Sequence, residues 1–284
     1  MKIGITAASG KLGGAIVRQL LQEIGKESIV AIARTPKNAL HLGVETRKGD
    51  YNNIPELENA LKGIDTLLLV SGMDEPQKRI TQHRNVIAAA KKNGVKKIVF
   101  TSIIGDVNKT SFAPIVESNR QTESDLKNGG VDWVIGRNSL YLEPDLEYIN
   151  QYETTGFIQN SAGDGLCGYT SRDELAYAYV KMLLGYTHNG RTYNLIGEPI
   201  TQSQLATKIN TVFGTKLTYK AVEIDAYTTS RKEELGDFLG TIIGSIYESI
   251  KNDVFNASSD FEKAAGRPHK TAMQLMKLFK ENGK

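Results

Sequence analysis

The chain has 284 residues, with 35 Lys and Arg set against 32 Asp and Glu, a formal net charge of +3 spread along its length, and one cysteine. That length holds one large α/β domain or a large domain with a small lobe, and the lack of a polybasic run argues against nucleic-acid binding. A lone Cys167 has no disulfide partner and no stretch has the apolar length of a membrane span, so a soluble cytoplasmic protein without a membrane partner is expected.

The chain opens on an apolar run, Ile3-Gly4-Ile5, which reads as a first strand rather than a signal peptide. It is followed at once by Thr6-Ala7-Ala8-Ser9-Gly10-Lys11-Leu12-Gly13 and then by a helix-patterned run from Ala15 to Leu21. Strand, small-residue turn and helix N-terminus in that order form a site for a dinucleotide pyrophosphate, because backbone N–H groups and the positive helix end converge there. Small residues at 7 to 10 let the backbone approach a phosphate, and Gly13 removes a side chain where the first helix must press against the sheet. A mononucleotide P-loop is the rival reading of Gly10-Lys11, but Leu12 stands where that loop needs Ser or Thr.

A second strand, Ser28 to Ala33, ends in Arg34-Thr35-Pro36-Lys37, about 20 residues after the glycine turn, where ribose recognition is expected. An NAD site would place Asp or Glu there. Arg34, with Lys11 and Lys37 as neighbours, fits a 2′-phosphate better and favours NADP(H); the competing reading is a solvated basic loop end.

Further strands are predicted at Val44 to Lys48, Thr66 to Val70, Lys97 to Thr101 and Trp133 to Arg137, with helices over Asn53 to Lys62, Arg79 to Asn93 and Ile115 to Asn128. Gly25, Gly63, Gly94 and Gly129 fall where helices should stop. Strands rich in Val, Ile and Leu alternating with helices imply a Rossmann-type, doubly wound parallel sheet covered on both faces. After Asn138 the alternation weakens. Ser171-Arg172-Asp173-Glu174 caps a helix running to about Leu184, Thr192 to Ile196 reads as a returning strand, and the rest is mostly helical with a strand-like stretch at Lys216 to Val222. The expected division is a nucleotide-binding core at 1–140, rejoined by 171–197, and a smaller, mainly helical substrate lobe at 141–170 and 198–284. Phe238, Leu239, Ile242, Ile243, Ile246 and Tyr247 are expected as apolar residues of that lobe.

The turn at Thr6 to Gly13 resembles the Thr-Gly-x-x-Gly-x-x-Gly turn of the NmrA-like atypical short-chain dehydrogenases, which include NAD(P)H:quinone oxidoreductases and triphenylmethane reductases. The resemblance continues through Ala33-Arg34-Thr35-Pro36, Gly49-Asp50-Tyr51, Gln82-His83-Arg84-Asn85-Val86-Ile87, Thr101-Ser102, Arg137-Asn138-Ser139-Leu140-Tyr141 and Ala162-Gly163-Asp164-Gly165 to the helix start at Thr170 to Ala176, nearly the whole chain. It implies that the turn (Thr6, Ala8, Ser9, Gly10, Lys11, Leu12, Gly13) and Arg34 bind the adenosine phosphates and that Asp50 and Tyr51 border the adenine. It further implies that Ser71, Gly72 and Met73 run beside the cofactor, that Thr101 and Asn138 lie near the nicotinamide, and that Tyr141 to about Tyr152 and the terminal helices wall the substrate pocket.

Two departures from the family stand out. Ala7 replaces the first glycine of the turn, and the Tyr-x-x-x-Lys dyad of ordinary short-chain dehydrogenases is missing, its positions aligning with Asn119 and Glu123. Tyr177 and Lys181 do spell that pattern, yet on a later helix, where the spacing puts them on one face without implying catalysis. An alcohol dehydrogenase needs an acid–base group at the carbonyl oxygen; a quinone or cationic dye accepts hydride directly, and the protein then mainly orients the nicotinamide against a flat acceptor.

Asn138 and Tyr141, and more remotely Asn119, are the expected polar groups at the acceptor, although Asn138 could simply end a strand and Tyr141 could be core. His83 and Cys167 read as packing residues. The leading expectation is an NADPH-dependent reductase of quinones or similar conjugated acceptors, with no metal and with a homodimer allowed. The alternative is a nonenzymatic NADP(H) sensor acting on a protein partner, and an epimerase is disfavoured because its Tyr base is absent.

Overall fold

The structure, a computed structural model, describes residues 1–283. Its strands are β1 (Ile3–Ile5), β2 (Ile29–Ala33), β3 (Glu45–Lys48), β4 (Thr66–Val70), β5 (Lys97–Ile103), β6 (Asp132–Asn138), β7 (Phe157–Asn160), β8 (Cys167–Gly168), β9 (Arg191–Leu195), β10 (Pro199–Ile200) and β11 (Thr218–Ala221). Its helices are α1 (Lys11–Leu20), α2 (Ile54–Ala60), α3 (Pro76–Lys92), α4 (Ala113–Lys127), α5 (Glu143–Glu147), α6 (Ile149–Thr155), α7 (Arg172–Leu184), α8 (Gln202–Phe213), α9 (Ile224–Leu235), α10 (Asp237–Lys251), α11 (Phe261–Ala265) and α12 (Ala272–Glu281).

Seven strands form one sheet in the order β3-β2-β1-β4-β5-β6-β9, with every neighbouring pair parallel. The apolar runs that predict these strands are those whose side chains are buried on both faces: Ile3, Ile5, Ile29 to Ile32 and Leu67 to Leu69 have no exposed surface. One face packs on α1 and α7 through Ile16, Val17, Leu20, Leu175, Tyr179 and Leu183. The other packs beneath α2, α3 and α4 through Leu57, Leu61, Val86, Ala90 and Leu126. A third apolar cluster, outside the sheet, joins Leu146, Ile158, Leu205, Ile209, Ile250, Phe255 and Met276. This is the Rossmann-type α/β fold, and the strand order reverses between β1 and β4, where such sheets leave a crevice at the strands' carboxyl ends.

The structure corrects the sequence reading in several places. Helix α1 begins at Lys11, inside the glycine turn, rather than at Ala15. Gly63 and Gly94 do end helices in the left-handed region, at φ +70° and +72°, but Gly25 lies at φ −63° and Gly130, not Gly129, takes φ +70°. Helix α7 starts as expected, with the Ser171 hydroxyl accepting from the Glu174 amide at 3.1 Å. The short elements α5, α6, β7, β8 and β10 fall where the sequence pattern had weakened.

The sequence pattern did not show which side of α10 is buried. Phe238 and Leu239 are 46% and 41% exposed, and Ile242, Ile243 and Ile246 are half-buried. The packed face of α10 is made of Gly240, Gly244, Ser245 and Ser249, with Ile250 at its end, and its small residues let α9 come so close that a Cβ at Gly240 would fall on the Lys232 backbone.

Gly136, in the middle of β6, gives a test of the packing over the sheet. A Cβ there would fall on the Tyr179 hydroxyl, which donates to the Gly136 carbonyl (2.9 Å) and to Asn138 Oδ1 (2.6 Å). Gly136→Ala is expected to cost about 1–3 kcal/mol in chemical denaturation, as overpacking of a filled core does.

Candidate functional site

The glycine turn is built from its backbone. Ala7 lies in the left-handed region at φ +47°, a conformation that costs an L-residue about 1–2 kcal/mol and that glycine adopts freely. The Gly10 amide closes back on the Ala7 carbonyl (2.9 Å) and the Ala8 amide reaches Ile32 O (3.1 Å). Gly13 packs against this turn rather than against the sheet, since a Cβ there would lie 2.5 Å from Ala7 O. Gly10 is the N-cap of α1 and has no side chain to cap it, and the first turn holds no carboxylate. The amides of Lys11, Leu12 and Gly13 therefore point outward uncapped, and with the helix dipole they make an anion site.

Thr6 is fully buried, so its side chain fixes the turn instead of facing the crevice: its hydroxyl donates to Leu68 O (3.0 Å) and accepts from Val70 N (2.9 Å). The Tyr51 hydroxyl donates to Val70 O (2.8 Å) and lies against Thr6 Oγ1, and burial pushes its pKa far up. The Lys11 ammonium is held by Glu147 of α5 (2.9 Å), which also takes Arg172 (3.0 Å).

Beside the turn lies a cavity of about 420 Å³ whose walls are Ser9, Gly10, Arg34, Asp50, Tyr51, Gly72, Met73 and Asp74. Arg34 is exposed at the end of β2, where a 2′-phosphate would meet it. Asp50 Oδ1 accepts from the amide and side chain of Asn52 (2.9 and 3.1 Å), which shapes the loop after β3. Asp74 is held below the ordinary carboxylate range by hydrogen bonds from Gln82 and Lys78, with Arg34 adding a weaker pull. Met73 is 77% exposed on the rim.

At the ends of β4, β5 and β6 the remaining residues meet. Thr101 Oγ1 accepts from the Ser71 amide (2.9 Å), and the Ser71 hydroxyl donates to Asn119 Oδ1 (3.2 Å), whose own amide donates to Ile115 O (2.9 Å). Asn138 is buried with its carbonyl oxygen taken by Tyr179. Tyr141 sits beside Asn138 with the Arg172 guanidinium 5.7 Å over its ring, and burial pushes its pKa up to about 12. A phenol shifted in that direction is the opposite of one tuned for proton transfer near neutral pH.

The dyad positions serve the packing. Asn119 makes the contacts just described, and Glu123 is a buried hub: Arg137 binds it with two nitrogens (2.8 and 2.6 Å), Arg120 at 2.8 Å and Ser102 at 2.7 Å. Burial pushes its pKa up, but the Arg137 hydrogen bonds, Arg120 and Ser102 together hold the carboxylate below its ordinary range. Tyr177 and Lys181 stand apart from this region, with Lys181 on Glu23 (3.0 Å) and the Tyr177 ring under Arg267. Cys167 is fully buried and its thiol is pushed well up by burial, the mark of an inert packing residue.

Two features had no clear signal in the sequence. A nearly all-apolar cavity of about 410 Å³ lies between the starts of α3 and α4 and the outer face of α10, with Phe112, Ile115, Phe238 and Ile242 in its walls. In the lobe, Asp145 is buried among tyrosines; burial raises its pKa to about 6 although Tyr152 donates to Oδ1 at 2.9 Å and Tyr169 also hydrogen-bonds it. Among the described residues no group of three or more His, Cys, Asp or Glu could hold a metal, and no helix is long and apolar enough to cross a membrane.

Comparison with known proteins agrees with this geometry. A family model described as NAD(P)H-binding matches residues 7–184. Quinone oxidoreductase 2 of Escherichia coli (strain K12) is 32% identical over 287 residues, covering 99% of this chain and 99% of that protein. The crystal structure of an NADPH-dependent quinone oxidoreductase from Escherichia coli in complex with NADPH superposes with a TM-score of 0.89 at 29% identity, over 98% of this chain and 99% of that one. Triphenylmethane reductase of Citrobacter sp. in complex with NADP(H) gives 0.88 at 30% identity, over 99% of each.

Ala7→Gly should stabilise the protein by about 0.5–1 kcal/mol, because relief of the left-handed strain exceeds the extra backbone entropy of glycine, whereas Ala7→Val should cost about 2 kcal/mol. Urea unfolding of both variants measures this. Asp145 gives a pH test: its folded pKa is raised, so its contribution is full below the unfolded value near 4 and is lost as pH rises through about 6. Asp145→Asn, which keeps an oxygen for both tyrosines, should therefore gain about 1–2 kcal/mol over the parent at pH 8 and little at pH 4.5.

Proposed function

The chain belongs to the NAD(P)H-binding family, and on that premise we propose that it transfers hydride from NADPH to a quinone or a similar flat, conjugated acceptor. The pyrophosphate would lie on the uncapped amides of residues 11 to 13, and Arg34 would take the 2′-phosphate. The adenosine would fill the cavity walled by Asp50, Tyr51 and Gly72, with the nicotinamide running past Ser71 and Thr101 toward Asn138.

The observation that carries the reading is the use of the dyad positions. Asn119 is committed to Ser71 and Ile115, and Glu123 to two arginines. No phenol with a lowered pKa stands at these strand ends to protonate an alkoxide, so the acceptor must stabilise the incoming electron pair by its own delocalisation. When bound, the cofactor supplies the hydride; the protein fixes the ring's position and excludes water from one face. The apolar cavity beside Ile115 is of a size and lining that would take such an acceptor, and Asn119 links the Ile115 carbonyl to Ser71.

Purified protein should oxidise NADPH in the presence of a panel of quinones and triphenylmethane dyes. Tight NADPH binding without turnover of any acceptor would refute the reductase reading and leave a nonenzymatic NADP(H) sensor. Arg34→Ala should weaken NADPH binding by about 1.5–3 kcal/mol and leave NADH nearly unchanged in calorimetry; equal losses for the two would remove Arg34 from the 2′-phosphate.

A further inference from the structure

Two loops wall the cavity proposed for the nucleotide, the one after β3 and the one after β4. Three side chains within one turn of α3 hold both. Gln82 donates to Asp74 Oδ2 (2.6 Å) and Asn52 Oδ1 (3.2 Å), and Asn85 donates to Tyr51 O (2.9 Å). Between them His83, which has no exposed surface, accepts the Gly72 amide on Nε2 at 3.0 Å.

That last bond settles the imidazole's state. A ring nitrogen that accepts an N–H carries no proton, so the proton is on Nδ1, which donates to Thr122 Oγ1 (2.8 Å), and Thr122 in turn donates to Ser118 O (3.1 Å). Every donor in the relay has one acceptor. Burial, with the charge of Arg79 one turn earlier on α3, pushes the His83 pKa down to about 3, and the Tyr51 and Phe100 rings pack edge-on against it. A protonated ring would present an N–H to the Gly72 N–H and break the contact.

We infer that His83, together with Gln82 and Asn85, is a positioning residue for the cofactor: the neutral Nδ1–H imidazole fixes the Gly72 amide, and this single turn of α3 sets the spacing of the two loops that grip the adenosine half. His83 does not line the cavity itself. Its effect passes through Gly72, whose amide donates to the ring at 3.0 Å. The inference rests on the nucleotide site proposed above.

Calorimetry of the full chain with NADPH and with the fragment 2′,5′-ADP tests it. His83→Leu removes the acceptor and should lower affinity for both ligands by about tenfold, the factor that 1.4 kcal/mol represents, while His83→Gln, whose side chain can still accept from Gly72 and donate to Thr122, should stay within about threefold of the parent. Nitrogen NMR of the parent should show His83 as an uncharged Nδ1–H ring that does not titrate between pH 5.5 and 8. If His83→Leu does not fold, Thr122→Val, which frees the tautomer, should lower both affinities in the same direction.

Unchanged affinity for 2′,5′-ADP in His83→Leu, or in Thr122→Val where the first does not fold, overturns the inference, as does an equal loss in the Leu and Gln variants or a titrating ring. Because these readouts are of binding, a parent protein that binds NADPH but reduces no acceptor defeats the reductase reading alone. Equal binding by parent and His83→Leu defeats the positioning role alone.

Discussion

One buried hydroxyl joins the fold to the site. Thr6 Oγ1 donates to Leu68 O and accepts from Val70 N, so the end of β1 is tied to the end of β4 at the point where the strand order reverses. Beyond that tie the two chains must part, β1 into the glycine turn and β4 into the loop at Ser71. The crevice between them is where an open parallel sheet receives a ligand. Tyr51, lodged against the same hydroxyl, brings in the loop after β3 and completes one wall of the cavity beside the turn. That cavity, proposed for the nucleotide, thus inherits its shape from contacts within the protein.

Charge in the core is used to hold parts together. Glu123 gathers Arg120 and Arg137 between α4 and β6, and Glu174 at the start of α7 gathers Arg267 and Lys270 from the C-terminal segment, which bring its pKa to about 2 despite its burial. Breaking either hub would leave a buried charge uncompensated, a strongly destabilising change. At the position of the dyad lysine of ordinary short-chain dehydrogenases, Glu123 is bound to two arginines, and Tyr141 is shifted upward by its own burial.

The C-terminal lobe follows a different rule. Its helices α9 and α10 approach closely through Gly240 and Gly244, and the larger apolar side chains of α10 are turned outward over a cavity. Close backbone contact contributes packing in place of large side chains, and it leaves Phe238 and Ile242 in the wall of the cavity. Asp145, with its pKa near 6, shows that this lobe also accommodates a buried carboxyl whose hydrogen-bond partners are tyrosines.

The sequence by itself determined the central strands β1, β2, β4 and β5 and the helices that cover them, because burial on both faces demands continuous apolar runs and because Ser171 can cap only the helix that follows it. It also showed the turn between β1 and α1 proposed here for the phosphates, whose features are local: small residues, one helix N-terminus, a basic residue after the next strand. What only the tertiary structure decided depends on residues far apart in the chain. Ala7's left-handed strain, Thr6's retreat from the crevice, the capture of Lys11 by Glu147 across 136 positions, and the choice of which stripe of α10 is buried are all set by neighbours that no local pattern names. His83 is the sharpest case: its place in the motif was visible, but its partners Gly72 and Thr122 lie 11 and 39 residues away, and only their geometry fixes which nitrogen holds the proton.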